Sequence, residues 1–497
     1  IQSSGRIQRE RIMIAILLDD NSFEQDIREL LMAFYPGEAF THKREEAHEA
    51  RFLVKGGKCG CNFDLYIEDN EGAPEDRTVS FASVKPDFTN RFEAKNLIKR
   101  TLYSLLRTRT GTELPWGTLT GIRPTKIALT KLQEGRDARW IRDYMRETYC
   151  TSDEKISLAL DVAKRELALL EPVNYEKGYS LYIGIPFCPT TCLYCSFTSF
   201  PIGKWEGKTK LYLDALFREM DYVAEKMKGR PLDTVYFGGG TPTSLNPGDL
   251  DALLCKVEAA FLTDKVREFT VEAGRPDSIT QEKLEVLRKH GITRISINPQ
   301  TMNQKTLDLI GRRHTVEDVR EKFHLARGLG FDNINMDLIV GLPEETLCDV
   351  KNTMEEIKAL APDSVTVHSL AIKRAARLNM FKERYGNLKI ENIQEMIDMT
   401  ARYAEEMGMN PYYLYRQKNM AGNFENVGYA APGKECIYNI LIMEEKQTIM
   451  ACGAGTTTKV LYPSENRIER AENVKEVEQY ISRVGEMMER KERLMGI

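Results

Sequence analysis

The chain lacks any apolar run long enough to cross a bilayer, and no basic stretch followed by an apolar one marks it for export. It also lacks an excess of either charge. Its 70 Lys and Arg against 74 Asp and Glu leave a formal net charge of −4, which sets aside a general nucleic-acid binder. A disulfide framework is missing too: of 10 cysteines, Cys59, Cys61, Cys150, Cys255, Cys348, Cys436 and Cys452 lie scattered. No second paired C-x2-C element accompanies the one at Cys192 and Cys195, so the usual pattern of structural zinc is absent. These absences predict a cytoplasmic, thiol-reduced protein with no membrane span. What remains is bulk, since 497 residues with 42% hydrophobic content can bury a large core in two or three domains.

One stretch organises the rest: Tyr182-Ile-Gly-Ile-Pro-Phe-Cys188-Pro-Thr-Thr-Cys192-Leu-Tyr194-Cys195. A short apolar strand runs into three cysteines spaced C-x3-C-x2-C, so one loop presents three thiolates at a strand's C-terminal end. A [4Fe-4S] cluster normally takes four cysteine thiolates, and three leave one iron open to a ligand that is not protein. The same residues also read as a zinc site completed by a further His or Cys, or as three neighbouring core thiols.

From Leu181 onward the pattern becomes strand, turn, helix, repeated. The expected strands are Leu181 to Ile185, Thr234 to Phe237, Glu268 to Glu272, Arg294 to Ile297, Asn333 to Ile339 and Ser364 to Leu370, with helices such as Thr209 to Lys228 and Gln281 to His290 between them. Units of about 30 residues suit a parallel β/α architecture curled into most of a barrel, with catalytic groups at the C-terminal strand ends. Those ends carry distinctive residues. Gly238-Gly239-Gly240-Thr241-Pro-Thr follows the second strand, and consecutive glycines let backbone approach a ligand closely. Glu272 ends the third strand, Asn298-Pro-Gln300 follows the fourth, Arg312-Arg313-His314 comes next, and Asp337 lies inside the fifth. A carboxylate in a buried strand needs a partner, and Arg312 is the natural one for Asp337.

Residues 1–175 read as an α+β domain, 176–380 as the barrel and 381–497 as a small C-terminal α+β domain packing on it. In the first, strands are expected at Ile12 to Leu18, Arg51 to Val54, Phe63 to Ile67 and Thr78 to Ala82, and helices at Ser22 to Phe34, Phe92 to Leu106 and Ser152 to Glu171. The turn-rich segment Leu114 to Thr125 reads as a packed connector rather than a recognition loop. Cys59-Gly-Cys61 has no ligand partner nearby, and Cys436 reads as a core thiol. Leu388 to Glu406 reads as a helix.

The cysteine loop, with Tyr194 directly before Cys195, resembles that of the radical S-adenosylmethionine (SAM) superfamily. The string from Tyr182 to Cys188 resembles the branch holding the oxygen-independent coproporphyrinogen III dehydrogenases and the related heme chaperones. The resemblance spans Tyr182 to Ala371, continues more weakly to Thr458, and is nearest the HemZ-type layout because a long region precedes the barrel. It implies an α/β fold: a partial (β/α)6 barrel with an α+β N-terminal domain and a small C-terminal domain. It further implies one [4Fe-4S] cluster on Cys188, Cys192 and Cys195. SAM contacts are implied at Tyr182, Tyr194, Gly239, Gly240, Thr241, Glu272 and Thr457, and a second SAM or its space at Gln300, Arg312, Asp337 and Ala371, with Arg312 also serving catalysis.

The activity implied by the resemblance is anaerobic. A reduced cluster splits SAM, and the resulting 5′-deoxyadenosyl radical takes a β-hydrogen from a propionate of coproporphyrinogen III. Loss of carbon dioxide and one electron leaves a vinyl group, and two rounds give protoporphyrinogen IX for heme biosynthesis. The implied partners are this or another tetrapyrrole and an electron donor such as flavodoxin or ferredoxin, with the chain a monomer. Two other readings share these motifs: a heme-binding chaperone, with His314 and His368 the available ligands, or another tetrapyrrole-modifying radical SAM enzyme. Ser196-Phe197 follows the last cluster cysteine where the best-known dehydrogenases have Gly-Cys, which is nearer the chaperones. Lys373, Arg374 and Arg377 form a basic group past the sixth strand that reads equally as a site attracting propionates or as solvated helix charges. Gly453 and Gly455 fit either a cover over adenosine or a plain turn.

Overall fold

The computed structural model describes residues 13–70, 77–195, 197–205, 207–261, 266–370, 393–416, 424–465 and 467–495. They divide into two compact units, one drawn from 1–160 with 416–424 and the other from 161–415 with 425–497. In the first unit, β1 (Met13–Leu18), β2 (Ala39–Thr41), β3 (Phe52–Cys59), β4 (Asn62–Asp69) and β5 (Val79–Val84) form a sheet in the order β2-β1-β3-β4-β5. Strand β4 alternates, with Phe63, Leu65 and Ile67 buried and the residues between them partly exposed, as a one-sided sheet requires. The helices Glu24–Phe34 and Arg91–Thr110 supply Ile27, Leu30, Ile98, Leu102 and Leu106 to the same core. The second of them starts where Asn90 caps the Glu93 N–H and stops at Gly111. Cys59 pairs with Asn62 across a hairpin, so Cys59-Gly-Cys61 is a tight turn with both thiols exposed. The connector after Leu114 is packed, with Trp116 fully buried and the Thr118 N–H donating to the Tyr149 carbonyl at 2.7 Å.

In the second unit, β6 (Tyr179–Ile185) is followed by a two-residue pair, β7 (Phe187–Cys188) and β8 (Phe200–Pro201). Then come β9 (Leu232–Gly239), β10 (Glu268–Gly274), β11 (Arg294–Ile297), β12 (Ile334–Val340) and β13 (Ser364–Ser369). Strands β6, β9, β10, β11, β12 and β13 lie side by side in chain order and all run parallel. Helices Thr209–Lys226, Pro247–Ala260, Gln281–Lys289, Val316–Gly328 and Leu347–Leu360 fill the crossovers. Burial on both faces explains the near-continuous apolar strands, such as Ile183, Ile185, Val235, Phe237, Val271, Ile295 and Met336. This is the parallel β/α architecture that the strand, turn, helix pattern implies. The C-terminal strands continue the same sheet. β14 (Asn410–Tyr415) and β15 (Asn426–Ala430) extend it antiparallel beyond β13. At the other side β16 (Thr448–Cys452) runs parallel to β6, followed by β17 (Thr457–Tyr462) and β18 (Arg467–Glu472). The expected helix at Leu388 to Glu406 is described from Ile393 to Glu406.

Candidate functional site

Strand β6 carries the chain to Pro186, and the cysteine loop then bends back so that the Phe200 N–H donates to the Pro186 carbonyl at 2.8 Å. Cys188 and Cys192 are buried and Cys195 is half-buried. The glycine turn after β9 lies along this loop. The Gly240 N–H donates to the Ile185 carbonyl and the Thr241 N–H to the Phe187 carbonyl, both at 2.7 Å, and Thr241 Oγ1 is 3.4 Å from Cys188 Sγ. A β-carbon on Gly240 would sit 2.5 Å from the Phe187 carbonyl oxygen and 3.0 Å from Cys188 Sγ, so only glycine lets the two backbones meet there. Gly239 adopts φ +109°, the left-handed side that glycine favours.

A residue with no expected role pins the loop's other half. Arg275, buried directly after β10, donates to the Thr190 carbonyl at 2.9 Å, to Thr190 Oγ1 at 2.8 Å and to Cys192 Sγ at 3.6 Å. Its fork is fixed by two hydrogen bonds to Asp277 at 2.9 and 2.6 Å. The sequence signal was its place one step past a strand end, disguised because Arg-Pro-Asp-Ser reads as a turn. The Leu193 N–H donates to the Ile310 carbonyl at 3.0 Å, which completes the anchoring.

The Cys188 and Cys195 thiols are protonated until a metal displaces their protons. Burial, with the neighbouring Cys195 and Cys192 thiols adding to it, pushes Cys188 up to about 11, and burial raises Cys195 as well. Their protons therefore leave when a metal displaces them.

Glu272 faces the same end of the barrel. Its Oε1 accepts from the Tyr236 hydroxyl at 2.6 Å, and the Tyr236 ring stacks in a triangle with Tyr438 at 4.4 Å and Tyr182 at 6.0 Å, those two being 6.1 Å apart. Burial raises the Glu272 carboxyl to about 7, and Asp337 adds to the rise against the Tyr236 hydrogen bond and Arg294. A half-buried carboxyl carrying that penalty is matched to an incoming cation such as an ammonium group.

The expected Arg312 to Asp337 pair is not formed. Arg312 is buried and donates to the Asn298 carbonyl at 2.5 Å and to the Tyr194 hydroxyl at 3.3 Å. Asp337 instead accepts from the Asn335 amide at 2.7 Å and lies 3.8 Å from His368 Nε2. Burial opposes ionisation of Asp337, but His368 and Asn335 outweigh it and hold the carboxyl below its usual range. Arg312 leaves its loop toward the cysteine loop, whereas Asp337 leans to β13. Tyr194 packs on Leu307, Ile310, Ile339, Leu342 and Leu370. Gln300, at φ +71°, bridges to β12 through the Asp337 carbonyl and the Ile339 N–H.

Thr457 opens β17 opposite Glu472. In the preceding turn, β-carbons on Gly453 and Gly455 would meet the Gly184 carbonyl at 2.3 Å and Thr198 Oγ1 at 2.5 Å, so that turn packs on β6 and on the end of the cysteine loop. His314 is 1% exposed with neither ring nitrogen bonded, and burial beside Arg312 lowers it to about 4. Ala371, Lys373, Arg374, Arg377 and Ser196 lie outside the described residues. Cys436 is a buried thiol donating to Glu268, as expected of a core position.

A family model of the Radical SAM superfamily matches residues 182–357. The chain is 43% identical over 419 residues to the oxygen-independent coproporphyrinogen-III oxidase-like protein HemZ of Bacillus subtilis, covering 83% of each. It is 32% identical over 281 residues to the heme chaperone HemW of the same organism, covering 56% of this chain and 69% of that one. Among solved structures it is similar to coproporphyrinogen III oxidase (HemN) from Escherichia coli, a radical SAM enzyme. The TM-score is 0.52 at 23% identity, over 65% of this chain and 72% of that one, a likeness of fold.

Proposed function

The chain belongs to the radical SAM superfamily, in its HemZ-type, coproporphyrinogen-III oxidase-like branch, and from that premise we propose that it converts propionate side chains of coproporphyrinogen III to vinyl groups without oxygen. The family's cofactors are a [4Fe-4S] cluster and SAM, which when bound supply a carbon radical able to remove hydrogen from an unactivated C–H bond. The residues present fit both groups. Cys188, Cys192 and Cys195 hold the cluster, Arg275 steadies their loop, and Gly239, Gly240 and Thr241 let backbone reach the methionyl end of SAM. Glu272 receives its ammonium, and Tyr182 lies in the stack beneath. Gln300, Arg312 and Asp337 line the further side, where a second SAM or the substrate is held. Buried placement of two of the three cluster thiols keeps water and oxygen from them. The electron donor is a reduced flavodoxin or ferredoxin.

One observation carries the choice of reaction. The match to the oxidase-like relative is longer than the barrel and everything after it, so it includes part of the N-terminal region. A heme chaperone is the second reading, favoured by Ser196-Phe197 and by the HemW likeness. Its two candidate imidazoles are poorly offered. His314 is buried, and His368 lies between Asp337 at 3.8 Å and the Tyr415 hydroxyl at 3.3 Å. The test is anaerobic incubation of cluster-loaded protein with SAM, reductant and coproporphyrinogen III, followed by mass spectrometry. Mono- and divinyl products that vanish in Cys192→Ala support the oxidase. Deoxyadenosine without decarboxylated porphyrin, together with retained heme, supports the chaperone.

A further inference from the structure

Between two helices of the outer layer lies a donor set that the proposed reaction does not use. Helix Pro247–Ala260 places Asp251 and Cys255 four residues apart, hence on one face. Helix Gln281–Lys289 ends at His290, whose ring enters beside them. Asp251, Cys255 and His290 each offer one ligand atom, all within 4.8 Å of one another. His290 Nε2 is 2.8 Å from Asp251 Oδ1 and 4.0 Å from Cys255 Sγ. Zinc, with bonds of about 2.0–2.3 Å, sets its ligands about 3.3–3.8 Å apart, so small side-chain movements close the triangle.

The imidazole is prepared for this. His290 is 6% exposed, and its Nδ1 lies 2.8 Å from Glu258 Oε1. A carboxylate accepting from Nδ1–H fixes the tautomer that leaves Nε2 free to bind a metal. Cys255 is exposed, which leaves a solvent side for a fourth, water ligand. One group competes: Lys289 Nζ is 2.6 Å from Asp251 Oδ1, on a side chain 61% exposed and able to swing into water. We propose that Asp251, Cys255 and His290 bind a divalent ion of the zinc class, with Glu258 orienting the imidazole, and so clamp the helices that follow β9 and β10.

The full chain is loaded with its cluster anaerobically, which occupies the three cluster thiols, then dialysed at limiting zinc and assayed for bound zinc and iron by plasma mass spectrometry. Wild type is expected to retain a single zinc beside its iron. Cys255→Ser and Asp251→Asn, both at accessible positions, are expected to lose the zinc with iron unchanged. Glu258→Gln is expected to weaken binding about tenfold, and Lys289→Ala to strengthen it by removing the competing cation. Equal zinc in wild type and Cys255→Ser, or none retained by wild type, overturns the site.

Discussion

Glu272 keeps its proton to about pH 7 chiefly because burial penalises the charged form, against an ordinary value of 4.5. Between those values the folded protein binds more protons than the unfolded one. The contribution of Glu272 to stability is therefore fully present below 4.5 and is lost as pH rises through 7. Glu272→Gln is expected to make the cofactor-free protein more stable than wild type at pH 8 and little different at pH 4, read in denaturant titrations. SAM affinity has the opposite sign, because its ammonium needs the carboxylate. Affinity of the cluster-loaded protein should rise from pH 6 to pH 8. Glu272→Gln should flatten that rise and weaken binding about ten- to a hundredfold, the worth of a hydrogen bond to a charged group. Iron content should not change. Arg275 acts through the loop: its N–H toward Cys192 Sγ favours the more negative, reduced cluster. Arg275→Met should lower the cluster's reduction potential and speed iron loss, followed by electron paramagnetic resonance under redox titration.

At the scale of elements, the cysteine loop and the glycine turn form one unit, since each supplies the other's backbone partners. Gly240→Ala puts a methyl group against the Phe187 carbonyl, which is main chain and cannot rotate away. The expected result is loss of most cluster incorporation while far-ultraviolet circular dichroism still shows a folded barrel. Retention of full iron content would show that the turn has slack the structure does not display. The six parallel strands and the three cysteines were legible in the sequence, because buried strands leave unbroken apolar runs and a ligand set leaves a spacing. Arg275 was hidden, since the direction of a side chain after a Gly is not written in the residues around it. The Arg312 to Asp337 pairing failed for a related reason: sequence shows that two charges exist, whereas register decides that Asp337 leans toward His368. The place of β16 beside β6 depends on pairings between residues hundreds of positions apart, such as Met450 with Leu181, which local pattern cannot set.

On the scale of the whole molecule, the chain's end is tied back to the barrel by a buried ion pair. Lys491 Nζ lies 2.6 Å from Glu219 Oε1 with both side chains 0% exposed, and Asn473, Tyr480 and the Gly453 N–H also donate to Glu219. Lys491→Met leaves a buried carboxylate without its cation and should cost about 3–5 kcal/mol of stability, seen in denaturant unfolding. This tie holds the Gly453 turn, and so β17 with Thr457, beside the cluster loop. In the proposed reaction this mouth directs radical chemistry at a propionate side chain. Its most direct test uses coproporphyrinogen III deuterated at the propionate β-carbons, with cluster-loaded protein, SAM and reductant under anaerobic conditions. The expected result is 5′-deoxyadenosine one mass unit heavier, appearing together with vinyl product. Unlabelled deoxyadenosine with intact coproporphyrinogen would contradict it.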